Sequence, residues 1–150
     1  MDRVMLDSNV ILKHLFGEWN ISELLAITEP YYNDIVYSEV LYLLLRNETG
    51  ERPFTLKKKP GLVIKSSTAL KPALRLFEVL NYSPISEHTL WEAEGLIESY
   101  GLLPGDAIIL ANCIEMGLDA LLTWDLDFLR LNDEISKCRI STPAEYTQSL

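Results

Sequence analysis

Two short apolar runs, each leading straight to an aspartate, constrain this chain more than any other feature. Arg3-Val4-Met5-Leu6 stops at Asp7, and Ala120-Leu121-Leu122-Thr123 is followed by Trp124 and Asp125. Runs this short and apolar, bounded by polar residues, read as buried strands. A third, Cys138 to Ile140, lies near the end of the chain. Helical patterns fill the intervals, and short strands alternating with helices imply an α/β fold around a parallel sheet. In such a sheet the carboxyl ends of the strands share one edge, where open α/β folds bind ligands. Asp7 and Asp125 are both expected on that edge.

The helices follow from caps and periodicity. Asp7 or Ser8 caps a helix over Asn9 to Phe16, closed by Gly17. Ile21 to Ile27 reads as a second short helix ended by Pro30. Asn33 or Asp34 starts a longer one running to about Asn47, with Val36, Val40, Leu43 and Leu44 as its inner stripe. Thr68 to Leu80 carries Leu70, Leu74 and Phe77 on one face, and Asn81 to Ile85 is a short extended piece. Ser86 caps a helix with Leu90, Ala93, Ile97 and Tyr100 on its apolar side, ended by Gly101. Pro104-Gly105-Asp106 opens a helix to Met116 that is apolar almost all round, the mark of a buried or subunit-facing element. Phe128 to Leu131 forms a turn of helix, and Pro143 to Gln148 a terminal one.

Composition narrows the class. With 150 residues, 48% hydrophobic and 23% charged, the chain has enough apolar surface for a core and reads as one domain. Its longest strictly apolar run, Val40 to Leu45, falls far short of the ~20 residues needed to cross a bilayer. Met1-Asp2-Arg3-Val4 has no basic n-region followed by an apolar h-region, so a secretory signal is not expected. Cys113 and Cys138 lack paired spacing, and Cys113 reads as a buried free thiol in a reducing cytoplasm. The net charge of −9 argues against a polyanionic partner until it is mapped along the chain. Residues 46–75 hold Arg46, Arg52, Lys57, Lys58, Lys59, Lys65, Lys71 and Arg75 against only Glu48 and Glu51. This is one basic segment on an acidic body. With Pro53, Pro60 and Gly61 inside it, part of it is expected to be an irregular, mobile connection, either a plain solvated loop or a surface that steers phosphates.

Four carboxylates stand at informative places. Asp7 and Asp125 follow strands, with Asp127 two positions on; Asp106 opens a helix; Glu39 lies on the inward stripe of its helix. A Glu so placed costs several kcal/mol, to order of magnitude, unless it is paired or binds a cation. Taken singly, each Asp has a structural reading as a helix cap, a first-turn charge or a turn residue. Convergence on one edge is a different matter, because like charges repel and raise one another's pKa unless a cation joins them. Oxygen ligands without thiolate or imidazole suit Mg²⁺ or Mn²⁺, and neither His14 nor His88 has the spacing of a zinc site. Such a cluster activates water for phosphodiester hydrolysis. Trp124 is read as a core or boundary residue, with base stacking as the lesser possibility.

Several segments, in order, resemble the PIN-domain ribonucleases and, within them, the VapC-like toxins. They are Met5-Leu6-Asp7-Ser8-Asn9-Val10-Ile11-Leu12, Ser38-Glu39-Val40, Leu103-Pro104-Gly105-Asp106-Ala107-Ile108-Ile109-Leu110-Ala111 and Leu121-Leu122-Thr123-Trp124-Asp125-Leu126-Asp127-Phe128. The ending Ser141-Thr142-Pro143-Ala144-Glu145-Tyr146 also looks like the family's last strand-to-helix turn. The resemblance implies a three-layer α/β/α sandwich around a short parallel sheet, with residues 1–150 as one domain. It implies a pocket binding one or two Mg²⁺ or Mn²⁺ ions and cleaving RNA. Asp7, Glu39, Asp106 and Asp125 match the acidic quartet, and Asp127 a variable acidic position. Ser8, Asn9 and Thr123 fall at polar positions of the pocket. A homodimer, a small antitoxin partner and a cytoplasmic location are further implications. The departure is the stretch from about Arg46 to Lys65, longer and more basic than the usual connection, where Lys57, Lys58, Lys59 and Lys65 would steer RNA.

Two other classes stay in view. A non-catalytic PIN-like module would bind RNA or a partner through the basic segment. An Asp-based phosphotransfer or phosphatase domain is disfavoured, because Asp7-Ser8-Asn9 is not Asp-x-Asp and Lys137 precedes its strand rather than following it.

Overall fold

The computed structural model describes residues 1–150. Its centre is a five-stranded sheet, wholly parallel, flanked by helices. The strands are β1 (Asp2–Leu6), β2 (Thr28–Tyr32), β3 (Asn81–Tyr82), β4 (Ala120–Leu122) and β5 (Arg139–Ser141), in the order β3-β2-β1-β4-β5. Helix α1 (Ser8–Leu15) and α2 (Ser22–Ile27) link β1 to β2. From β2 to β3 run α3 (Asp34–Thr49), α4 (Pro53–Lys57), α5 (Pro60–Ser66), a 3₁₀ turn over Ser67–Leu70 and α6 (Lys71–Val79). Helices α7 (Glu87–Tyr100) and α8 (Pro104–Glu115) precede β4, α9 (Leu126–Leu129) precedes β5, and α10 (Pro143–Ser149) ends the chain.

The apolar strands are buried as their composition demands. Val4, Met5, Leu6, Ala120, Leu121 and Leu122 are fully enclosed, which requires cover on both faces of the sheet. Helix α8 is buried along Ala107 and Ile109 to Cys113, in keeping with its apolar circumference. No helix is long and apolar enough to cross a membrane.

Three expectations need correction. Pro30 does not merely end α2; it lies within β2, opposite Val4 of β1. β3 pairs only with Tyr31 and Tyr32, so at Pro30 the ladder has a strand on one side alone, where a missing N–H costs least. The Asn81 side chain donates instead to the Pro30 carbonyl at 3.1 Å. The basic stretch is not an irregular connection: α5 and the 3₁₀ turn pack on α3, and α4 packs on α5 with Leu56 buried. Pro53 and Pro60 open these helices, a first-turn position where the lost N–H is not needed. Finally, Leu43, Leu74, Leu90 and Ile97 are substantially exposed; of the expected face of α7 only Ala93 is buried, with Thr89 beside it. Each lies on a face that periodicity marks as apolar but no neighbouring element covers.

A buried amide pair fixes the helices over the carboxyl edge. Asn33 caps α3 by accepting from the Ile35 and Val36 N–H groups at 3.1 Å each. Its side-chain NH₂ donates to Asn112 Oδ1 of α8 at 3.1 Å, and Asn112 donates to the Pro84 carbonyl at 2.9 Å. Both asparagines are fully buried. Asn112→Leu therefore strands the Asn33 amide, and equilibrium urea unfolding should show a loss of about 3 kcal/mol.

Candidate active site

Asp7 ends β1, and its N–H donates to Leu122 O of β4 at 3.0 Å. That bond sets Asp7 beside the exit of β4, where Thr123 and Asp125 follow. The Asp7 carboxylate, 3% exposed, is held on three sides. Oδ1 accepts the Ser8 N–H at 2.8 Å, capping α1. Oδ2 accepts the Thr123 hydroxyl at 2.7 Å and the Asn9 amide at 3.3 Å. Thr123 Oγ1 also accepts the Asp125 N–H at 2.9 Å, and Asn9 Oδ1 accepts the Trp124 N–H at 3.1 Å. Two strand ends are thereby stitched into one surface. Asp125 caps α9, accepting the Asp127 N–H at 2.9 Å. Both aspartates thus act as helix caps, as their positions after strands allow.

Glu39 approaches from α3. Its Oε2 accepts the Ser8 hydroxyl at 2.9 Å, so Ser8 joins α1 to α3 at the pocket. The first turn of α8 closes the other side: a Cβ on Gly105 would stand 3.4 Å from Glu39 Oε1 and 3.5 Å from the Ile35 side chain. That approach sets the neighbouring Asp106 against the same group of acids.

The electrostatics reflect this crowding. Burial raises the Asp7 carboxyl to about 6; the Thr123 and Ser8 bonds lower it, and the charges of Glu39 and Asp125 raise it. Asp106 is also raised to about 6, first by burial and then by Asp7, Asp125 and Asp127. Glu39 is raised by burial, lowered by its Ser8 bond and raised by Asp106 and Asp125. Every neighbouring charge acting on these three groups is another carboxylate. The donors are oxygens alone. No three of the acids lie close enough together to enclose an ion as placed; repulsion between like charges favours such separation.

Hydrogen bonds thus join Asp7, Ser8, Asn9, Glu39, Thr123 and Asp125, while the Asp106 side chain acts on Glu39, and that of Asp127 on Asp106, as nearby charges. The structure does not bring Lys57, Lys58, Lys59 or Lys65 among the charges acting on them. Lys59 pairs with Glu51 at 3.2 Å, and Lys58 lies over the Phe54 ring at 4.5 Å. The largest surface cleft, about 560 Å³, is likewise elsewhere, between α3 and α4–α5, lined by Tyr42, Leu45, Phe54, Leu56 and Val63 among others. It holds none of the carboxylates. Trp124 packs edge-on against Trp19 at 6.1 Å, with Lys13 5.7 Å from its ring, which favours the boundary reading of this residue. His14 accepts the Ile21 N–H and His88 pairs with Glu92, so neither enters the site. Sequence reasoning missed Asn33 and Asn112 as positioning residues. The signal was present in Asn112, a lone amide inside an apolar helix.

The PIN domain model matches residues 4–134. This chain belongs to the PIN domain family. It is 28% identical over 136 residues to ribonuclease VapC2 of Methanocaldococcus jannaschii, covering 87% of this chain and 90% of that protein. Among solved structures, DNA-bound VapBC of Salmonella typhimurium aligns with a TM-score of 0.64 at 16% identity, over 93% of this chain and 97% of that one. VapBC2 of Rickettsia felis, bound to a promoter DNA fragment, aligns with a TM-score of 0.60 at 17% identity, over 93% and 98%. Mycobacterium tuberculosis VapC20, described as a sarcin-ricin-loop-cleaving toxin, aligns at 0.58 and 14% identity, over 91% and 98%. At these identities the structural likenesses establish the shared PIN fold.

The two raised aspartates carry a pH signature. Each holds its proton more tightly when folded, so the stability it contributes is full below about pH 4 and lost as pH rises through about 6. For Asp7 this amounts to about 3 kcal/mol; the half-exposed Asp106 contributes less because solvent screens it. In metal-free buffer, Asp7→Asn should melt roughly 5 °C above wild type at pH 7.5, and the gap should close at pH 4.5. Differential scanning fluorimetry at the two pH values checks this.

Proposed function

We propose that this PIN-domain chain is a divalent-metal-dependent endoribonuclease and the toxin of a toxin–antitoxin pair, with residues 1–150 acting as one PIN-like domain. One observation carries the reading: Asp7 is buried, Glu39 and Asp106 are half-buried, and the charges that act on all three are those of other carboxylates. A hard cation offsets that cost, and an all-oxygen donor set suits Mg²⁺ or Mn²⁺. Asp7, Glu39, Asp106 and Asp125 would hold one or two such ions, with Asp127 assisting. A bound ion there supplies an activated water and stabilises the departing oxygen of a phosphodiester.

The chain's own residues supply orientation. Thr123 and Asn9 hold Oδ2 of Asp7, the Ser8 N–H holds Oδ1, and the Ser8 hydroxyl holds Glu39. Partners of this kind set the direction of a ligand's lone pairs. The sheet shields Asp7 from water, whereas Asp106 and Asp125 are partly open and Asp127 is exposed, so substrate enters from their side. The basic residues Lys57, Lys58, Lys59 and Lys65 would meet RNA phosphates away from the reacting centre.

The ribonuclease name of the Methanocaldococcus relative supports the substrate class, and the VapBC complexes among the structural neighbours support an antitoxin partner. A homodimer in the cytoplasm is part of the same proposal.

A fluorogenic RNA titrated with Mn²⁺ or Mg²⁺ is the direct test. Wild type should cleave it, EDTA should stop cleavage, and Asp7→Asn should be inactive while melting cooperatively. Metal-independent cleavage, or EDTA-sensitive cleavage retained in Asp7→Asn, sinks the assignment. Binding without cleavage would favour the non-catalytic module, and hydrolysis of small phosphate esters the phosphotransfer class. Thr123→Val, which removes the shorter of the two hydrogen bonds to Asp7 Oδ2, should lose roughly 10–100-fold in metal affinity by isothermal titration. Millimolar Mn²⁺ should raise the wild-type Tm more at pH 7.5 than at pH 5, where protons compete for Asp7 and Asp106. Changing Lys57, Lys58 and Lys59 to Gln should raise KM and flatten its salt dependence with little change in kcat.

A further inference from the structure

Cys113 and Cys138 take no part in the site above. Cys113 lies in the second half of α8, at the other end of that helix from Asp106, and Cys138 immediately precedes β5. Both are buried, and their Sγ atoms stand 2.9 Å apart. Their other neighbours are weak: Cys113 Sγ is 3.5 Å from Ala120 O, and Cys138 Sγ is 3.7 Å from Arg139 O. Ala120 and Arg139 open β4 and β5, so the thiols meet at the amino edge of the sheet, opposite the carboxylates.

We propose that Cys113 and Cys138 form an intramolecular disulfide site. The sequence offers no motif for it; the fold alone brings together two residues 25 positions apart. The bond would tie α8 to the entry of β5 and close a loop containing β4, Thr123, Asp125 and α9. It would act as a staple under the acidic pocket rather than as a group within it.

A small disulfide such as oxidised glutathione serves as oxidant. One cysteine thiolate attacks a glutathione sulfur, forming a mixed disulfide and releasing one glutathione thiolate. The second cysteine thiolate then attacks the protein-side sulfur and displaces the other glutathione. Two cysteines are oxidised, one disulfide is reduced to two thiols, and the two cysteine protons end on the released glutathiones. Burial pushes the Cys113 thiol well up, which makes its thiolate scarce in the folded chain. Both sulfurs are buried, so exchange takes place as the chain folds and only where the glutathione pool is oxidising; the reducing cytoplasm proposed above keeps the pair as thiols.

The full chain, unfolded in guanidinium and refolded in a mixture of oxidised and reduced glutathione, should lose the mass of two hydrogens. Proteolysis without reduction should release a peptide pair joining Cys113 to Cys138. The oxidised protein should melt roughly 10 °C above protein refolded in dithiothreitol. Cys138→Ala should melt at the same temperature under both conditions. Two free thiols after oxidative refolding, glutathione adducts without a cross-link, cysteine-linked dimers, or an oxidised form no more stable than the reduced one would each overturn the proposal. The mass and peptide readouts on wild type decide the matter even if Cys138→Ala fails to fold.

Discussion

The parallel pairing of β1 with β4 is the contact on which the rest depends. It runs from Val4 opposite Ala120 to Leu6 opposite Leu122, then ends in the Asp7 N–H to Leu122 carbonyl bond. These strands are adjacent in space although most of the chain lies between them. Their exit residues make one network in which Asp7, Asn9, Thr123 and Asp125 share hydrogen bonds. A carboxylate buried there is costly, and its raised pKa expresses that cost. The same burial makes the group a directional oxygen donor.

Two helices complete the pocket without belonging to the sheet. Helix α3 brings Glu39 and α8 brings Asp106, and the Asn33–Asn112 pair locks one to the other away from the acids. The polar network tolerates burial because its main members are satisfied: Asn33 caps a helix, and Asn112 reaches both Asn33 and the Pro84 carbonyl. At Gly105 an added Cβ would just reach van der Waals distance of Glu39, so the first turn of α8 passes close to α3.

Charge is laid out in separate regions. The acids gather at the carboxyl edge of the sheet, while Lys57, Lys58, Lys59 and Lys65 ride on or between α4 and α5, of which α5 packs against α3. Because α3 carries Glu39 and also supports α5, on which α4 packs, one helix relates the two regions. Lys59 is partly spent on Glu51 and Lys58 on Phe54, which leaves Lys57 and Lys65 as the less committed cations of this surface. Net charge describes neither region, since it averages over a division that the fold preserves.

The sequence alone determined the α/β class, the two central strands, the helix cap at Ser86, the choice of Asp7 or Ser8 and of Asn33 or Asp34 as the caps of α1 and α3, and the acids worth watching. These features are local: periodicity, a capping side chain or an apolar run is written in neighbouring residues. Glu39 was legible because an acid on an inward stripe conflicts with its surroundings. Only the tertiary structure decided that Pro30 sits in a strand, that the basic stretch is helical, that Leu43 faces outward and that Asn33 meets Asn112. Strand β2 exists through its pairing with β1, and exposure depends on which element happens to cover a face. Neither is encoded within one helical turn of sequence. The meeting of Cys113 and Cys138 has the same origin, because a parallel sheet joins residues by its strand order rather than by their separation along the chain.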